Sequence, residues 1–388
     1  MRIAVSTIGK FHAFNLAEEL ARRGALAAAF TSYPSFRVRM PELDPRLVRT
    51  FPWITYARQA IARTPRVRDH VPTGGLDRLA LRAHDRWVAR NLPDCDAVYA
   101  MSGSSLCIGR EAQQRGAVYC CARGSSHIEE QDRLLREEYA LLGLPFAGVP
   151  NWAIEAELAE YAEADTIQLP STFVYDSFIA RGVSEEKLFL NPYGVELRDF
   201  RPCAPKEATF TVLFAGSICI RKGVHTLLQA FNKAGISGSR LWLAGGGGGE
   251  AAWIFKRSPM DGVERLGKLS WGELAVAMSR ASVFVLASIE EGLATVQAQA
   301  LACGTPIIAT TNTGADSLIT DGLEGFIVPI RDPDAIAEKL VLLHERPDLR
   351  QAMSEAALRR VKELGGWRAF VDGIMAKFES MRSTSAGR

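Results

Sequence analysis

Three observations predict an α/β chain built as two doubly wound domains, each with a mostly parallel sheet, facing one another across a cleft. Short apolar runs alternate with helical patterns along the first half of the sequence, the rhythm of βαβ units. That rhythm breaks at Asn191–Pro205, NPYGVELRDFRPCAP, a stretch rich in proline and polar residues with no helical period. It then restarts and runs almost to the end. At 388 residues and 47% apolar content, the chain has length and core enough for two domains of ordinary size.

In the first half the apolar runs place strands at Arg2–Ser6, Leu26–Thr31, Ala97–Met101, Val118–Ala122 and Thr166–Leu169. Between them, apolar residues recurring at helical spacing predict helices near Phe14–Arg23, Arg78–Asn91, Ser105–Arg115, Glu129–Leu142 and Asn151–Glu163. A further helix, Ser171–Arg181, stops at Gly182. Beyond the linker, strands are predicted at Thr211–Ala215, Arg240–Ala244, Val263–Leu266, Val283–Ala287, Pro306–Ala309 and Gly325–Val328. The helices of this half fall at Val224–Ala234, Trp271–Arg280, Thr295–Ala302 and Asp334–Glu345, with two more near Leu349–Leu364 and Trp367–Met381. The expected division is therefore residues 1–190, a linker at 191–206, and residues 207–365, followed by a terminal helix at 366–382.

Composition excludes several classes. A net charge of +2 argues against a protein dominated by nucleic-acid binding. Seven scattered cysteines, odd in number and without a C-x-x-C pair, read as buried reduced thiols, not as a disulfide framework or a zinc site. The opening MRIAVSTIGK reads as a first strand, and no apolar run approaches the ~18–20 residues of a membrane span. A cytoplasmic location is expected, either free or peripheral at the inner membrane face. One segment is unusual: from Pro34 to Leu92, twelve arginines face five acids, a balance of +7, with Phe51, Trp53, Ile54, Tyr56 and Ile61 interleaved. Anionic lipid, a diphosphate-linked acceptor, or merely a solvated helical face all fit that pattern.

The motifs gather at predicted strand ends. Glu290 and Glu291 follow Val283–Ala287, and the next helix opens directly after Gly292. A carboxylate there can accept from vicinal sugar hydroxyls. Backbone N–H groups of Gly292, Leu293, Ala294 and Thr295 suit phosphate oxygens. The bland alternative is a carboxylate that only favours the helix dipole. Gly216–Gly223, GSICIRKG, follows the strand Thr211–Ala215 and brings Arg221 and Lys222 to a helix start, where cations are unfavourable for the dipole. Such cations suit a departing diphosphate. Five glycines, Gly245–Gly249, predict a flexible loop at the same edge. In the first half, Gly9, Lys10 and His12 follow strand one, and Arg123, Gly124, Ser125, Ser126 and His127 follow Val118–Ala122. Both histidines could equally be structural.

Four segments together give the chain its resemblance to retaining glycosyltransferases of family 4, with the GT-B fold. They are YAEADTIQLPSTFVYDSFIARGVSEEKLFLNPYGVELRDFRP, TVLFAGSICIRKGVHTLLQAFNKA, VERLGKLSWGELAVAMSRASVFVLAS, and EEGLATVQAQALACGTPIIATTNTGADSLITDGLEGFIVP. The likeness is strong over residues 150–380 and loose before them. It implies two Rossmann-like domains, the first binding acceptor and the second the nucleotide sugar, with the last helix crossing back to the first. In the family's E-x7-E pair, Glu291 matches the carboxylate that contacts the transferred sugar. The second acid, which grips the ribose, falls on Gln299, a neutral and weaker partner. Relatives carry an arginine after the loop glycine where this chain has Ser217; the lysine is kept as Lys222, and Arg221 would supply the lost cation. Backbone near Leu266–Leu269 would read the base.

The resemblance therefore implies a metal-independent, retaining transfer of a hexose from a nucleoside diphosphate sugar, with no cofactor, to an acceptor hydroxyl. The acceptor would be a lipid-linked or growing glycan in polysaccharide biosynthesis. His127 and Gly9 would flank the reacting centre, with Lys10, His12 and Arg123 on the acceptor side. Rival readings are another GT-B enzyme, a sugar phosphorylase or nucleotide-sugar epimerase, or a non-catalytic nucleotide-sugar-binding subunit.

Overall fold

A computed structural model describes residues 1–9, 12–34, 38, 43–53 and 73–386. Two parallel sheets organise it. The first has seven strands in the order β3-β2-β1-β4-β5-β6-β7: β1 Ile3–Thr7, β2 Leu26–Thr31, β3 Val48–Thr50, β4 Ala97–Met101, β5 Val118–Ala122, β6 Thr166–Leu169 and β7 Leu188–Leu190. The second has six in the order β10-β9-β8-β11-β12-β13: β8 Thr211–Ala215, β9 Arg240–Ala244, β10 Val263–Gly267, β11 Val283–Leu286, β12 Ile307–Thr310 and β13 Gly325–Val328. The central strands are buried along their whole length, which is why they read as unbroken apolar runs.

In each sheet the strand order reverses once, between β1 and β4 and between β8 and β11. Loops leaving those strands part to opposite faces and open a crevice at the carboxyl edge. The predicted strands and helices sit where expected to within a few residues. Three elements were not anticipated: the edge strands β3 and β7, three residues each, and the helix Gly249–Arg257. Of the glycines expected as a flexible loop at Gly245–Gly249, Gly245 and Gly247 are closely approached by neighbouring atoms, whereas Gly248 and Gly249 face open space and Gly249 opens a helix. A Cβ on Gly245 (φ +146°) would fall 1.8 Å from the Gly216 carbonyl oxygen.

Chain crossings join the two halves. Helix α1, Ala13–Arg22, buries Phe14, Leu16, Ala17 and Leu20, and the terminal helix Gly366–Ala386 packs on it. Phe370, Val371, Ile374 and Phe378 of that helix are buried, at about 1.5–3 kcal/mol each. Arg23 donates to the Asp372 carboxylate at 2.5 Å and to the Arg368 carbonyl at 3.2 Å. The crossing helix expected from the resemblance is thus present. All seven cysteines are free, but only Cys120, Cys121 and Cys303 are buried; Cys95, Cys107 and Cys219 are half-buried and Cys203 is exposed.

Candidate active site

The loop after β8 and the turn after β11 are sewn together before any side chain is considered: the Ile289 N–H donates to the Arg221 carbonyl at 2.9 Å. Side chains then build a cluster of two cations and two carboxylates. The Lys222 ammonium donates to Oε2 of Glu291, and Arg221 Nη1 reaches the same oxygen at 3.0 Å and the Glu290 carbonyl oxygen at 2.9 Å. Burial pushes the Glu291 pKa up, but Lys222 and Arg221 outweigh it and hold the carboxyl below its ordinary value. Burial likewise works against the Arg221 charge, and Glu291 and Glu290 more than restore it.

Next to this cluster the helix Thr295–Ala302 begins at Ala294, whose side chain cannot cap it. Its first N–H groups are left without a side-chain cap, and Ala294 and Thr295 line the same cleft as Lys222. A cleft of ≈ 740 Å³ lies between the domains, and Gly216, Arg221, Lys222, Glu291, Leu293, Ala294, Thr295 and Gln299 all line it. Ser217 and Leu269 are not among the lining residues, and Gly292 is buried at the seam beside it. A Cβ on Gly292 would lie 2.0 Å from the Gly124 carbonyl oxygen, so only glycine lets the two domains meet there.

The first domain supplies the opposite wall, including Ile8, His12, Asn15, Arg123 and Ser125. His12 stacks on Tyr193, its Nε2 lies 2.7 Å from the Tyr99 hydroxyl, and burial drives its pKa down to about 3. A neutral imidazole results. Arg123 lines the cleft but is already engaged, donating from Nη1 to both Glu157 oxygens at 2.9 and 2.7 Å. Gly9 turns back on Thr7, whose hydroxyl donates to its carbonyl at 3.0 Å, while Ile8 lines the cleft. Lys10 lies outside the described residues, as do residues 54–72 of the basic segment, Ile54, Tyr56 and Ile61 among them. Of the described aromatics there, Phe51 stacks on Trp87 and Trp53 is 74% exposed.

His127 corrects the sequence-based expectation. It does not line the interdomain cleft; it caps the helix Ile128–Leu141, where its Nδ1 accepts from the Glu129 N–H at 3.4 Å. The ring packs on Tyr161 and Phe178, and burial, then Arg123 and Arg181, lower its pKa to about 4. It faces a separate pocket with Arg181 and Lys187.

Sequence reasoning also missed the bridging role of Glu290 and several lining residues. Glu290 is wholly buried and bridges the domains, accepting from the Ser126 N–H and hydroxyl at 2.9 Å each and from Gln131 at 3.0 Å. Tyr193, Glu196, Trp271 and Trp367 line the cleft as well. The only sequence signal for the first two was the linker itself, polar and aromatic where a mere spacer has no need of aromatics. A second bridge joins the same helix to the other domain: Glu138 accepts from His225 Nε2 at 2.7 Å and Arg331 Nε at 2.6 Å.

Two Rossmann-like sheets with a cation–carboxylate cluster and an uncapped helix N-terminus at their shared crevice make up a GT-B fold. Residues 197–360 match the family described as glycosyl transferases group 1. The chain resembles enzymes of that family. It is 27% identical over 301 residues to D-inositol 3-phosphate glycosyltransferase 1 of Catenulispora acidiphila, covering 70% of this chain and 71% of that one. It is 29% identical over 254 residues to a GDP-mannose-dependent alpha-mannosyltransferase of Mycobacterium tuberculosis, 62% of each chain. An uncharacterized glycosyltransferase of Methanocaldococcus jannaschii matches over 44% of this chain at 27% identity, and the chain spans only about half that relative's length, 48%. Among solved structures, sucrose-phosphate synthase from Thermosynechococcus elongatus superposes with a TM-score of 0.75 at 20% identity, covering 99% of this chain and 100% of that one. Anabaena HepE in complex with UDP gives 0.70 at 14% identity, covering 98% and 100%. These two likenesses establish the fold.

Proposed function

We propose that the protein transfers a hexose from a nucleoside diphosphate sugar to an acceptor hydroxyl, with retention of configuration and without a metal. The observation that carries this reading is the convergence of Lys222, Arg221 and Glu291 on one point beside the free N-terminus of Thr295–Ala302. A diphosphate entering there meets two cations and unpaired N–H groups, the groups that stabilise charge building on it as the glycosidic bond breaks. Glu291, held ionised by those same cations, is placed to accept hydrogen bonds from the transferred sugar. Gln299, one turn further along the helix, offers its side-chain oxygen to the ribose. Following the family resemblance, the acceptor attacks from the face the leaving group departs, and a donor phosphate oxygen takes its proton. That scheme needs no protein base, which agrees with His12 and His127 being neutral and engaged elsewhere.

Relatives named for GDP-mannose and inositol phosphate, and a neighbour crystallised with UDP and UDP-glucose, support a nucleotide-sugar donor and leave the base and sugar open. For the acceptor we favour a glycan or lipid-linked glycan. Peripheral membrane contact through the basic segment fits this; among the described residues, no helix is long and apolar enough to cross a membrane.

The test is release of nucleoside diphosphate from UDP-, GDP- and ADP-sugars with an acceptor panel, after treatment with EDTA. Transfer that survives EDTA is expected. Phosphorolysis, a changed sugar on an intact nucleotide, or donor binding that never leads to release would each replace this reading with another. Full loss of activity in EDTA with recovery on manganese would refute the metal-free step.

A further inference from the structure

Tyr193 comes from the linker, not from either sheet, yet it sits in the wall of the cleft. Its ring is held on two sides. His12 stacks on it with centroids 4.0 Å apart and 24° between planes, and Phe370 meets its edge at 5.8 Å. Only 8% of the residue is exposed, so the ring has no room to swing and its hydroxyl has a fixed address.

That hydroxyl is wholly buried and has no hydrogen-bond partner among the described residues. Buried tyrosine hydroxyls ordinarily find one. A Cβ placed on Gly124 would come within 3.3 Å of the oxygen, so the hydroxyl faces the Gly124 backbone, the point where Gly292 of the second domain closes in. Two charged groups bear on it, Arg123 and Glu291, and Arg123 is occupied by Glu157. Burial pushes the phenol pKa up, which keeps the proton on the oxygen and makes it a donor. An oriented donor without a protein acceptor, within the field of the carboxylate assigned to the transferred sugar, calls for an acceptor on the substrate.

We propose that the Tyr193 hydroxyl donates a hydrogen bond to a hydroxyl or ring oxygen of the sugar being transferred. The inference rests on the nucleotide-sugar reading above. It makes the linker a contributor to donor selection, discriminating against sugars that lack an oxygen at that position.

Tyr193→Phe keeps the ring contacts with His12 and Phe370 and removes only the oxygen. Calorimetric titration of parent and variant with UDP-glucose against UDP, and with GDP-mannose against GDP, separates the sugar from the nucleotide. Expected is affinity for the nucleotide sugar weakened about five- to tenfold, the worth of one neutral hydrogen bond, with the free diphosphate unchanged within about twofold. Because the hydroxyl has no partner among the described residues, the variant's Tm should equal or exceed the parent's. Equal affinities in parent and variant, an equal loss for sugar nucleotide and free nucleotide, or a Tm lower by several degrees would overturn the proposal while leaving the transferase reading intact. A parent that binds neither UDP-glucose nor GDP-mannose would overturn the donor reading and this inference with it.

Discussion

Replacing Lys222 with alanine tests the core of the site. Lys222 and Arg221 stand against Glu290 and Glu291, so the cluster is formally neutral before substrate arrives. Alanine leaves it one unit negative, and the incoming diphosphate then meets an uncompensated carboxylate. One charge contact at about 4 Å in an effective dielectric near 20 is worth roughly 4 kcal/mol. Arg221 and the N-terminus of Thr295–Ala302 remain and take up part of that load, leaving a net loss of about 3 kcal/mol at the transition state. This corresponds to a fall of about 10²-fold in turnover, within the range seen when one preorganised donor is removed. The assay is the initial rate of nucleoside diphosphate release at saturating donor, with a thermal melt to show that the variant is folded. A folded variant within about threefold of the parent would refute the role given to Lys222 and shift the work to Arg221 and the backbone.

Other outcomes follow from the same geometry. Glu290→Ala should destabilise the protein by about 3 kcal/mol in urea unfolding, because Ser126 and Gln131 lose a shared buried acceptor and Arg221 loses a carboxylate 3.6 Å away; a change below about 1 kcal/mol would show that the bridge is idle. Gly292→Ala drives a methyl into the Gly124 carbonyl and should cost about 1–3 kcal/mol, together with at least about tenfold in turnover; unchanged kinetics would mean the seam opens freely. His84 is buried between the Ser6 and Ser32 hydroxyls, and burial lowers its pKa to about 4. A depressed histidine binds fewer protons folded than unfolded, so its contribution is intact above about pH 6.5 and is lost as pH falls toward 4. The stability advantage of the parent over His84→Gln should therefore shrink by up to about 1.4 kcal/mol per pH unit across that window, and a constant difference would refute the assignment.

The alternation of apolar runs and helical periods made both sheets legible because parallel strands buried on two faces need continuous apolar sequence, as in Val283–Leu286 and Ile307–Thr310. Val48–Thr50 and Leu188–Leu190 carry no such signal; each is an edge strand of three residues, too short to display a period. Gly249–Arg257 was hidden by its own start, since glycine at its cap and first position argues against a helix. At the site, Lys222 and Glu291 were legible because a cation at a helix start and a carboxylate at a strand end are locally unfavourable or unneeded, and such conflicts mark function. His127 and Glu290 were not. Whether a residue a few positions past a strand turns inward to cap a helix or reaches 164 residues along the chain to Ser126 depends on tertiary packing, and nothing local encodes it.

The crossing of the last helix has a consequence for how the molecule is made. Arg23 and Asp372 are 349 residues apart in sequence but touch in the fold. While the ribosome works through the second domain, the outer face of Ala13–Arg22 has no cover, and the first domain waits with an apolar groove open to whatever is nearby. The domain that emerges first is finished last. Loss of the final helix should therefore damage the half of the protein farthest from it in sequence, and a nascent chain stalled in the second domain should be the most aggregation-prone species this gene produces.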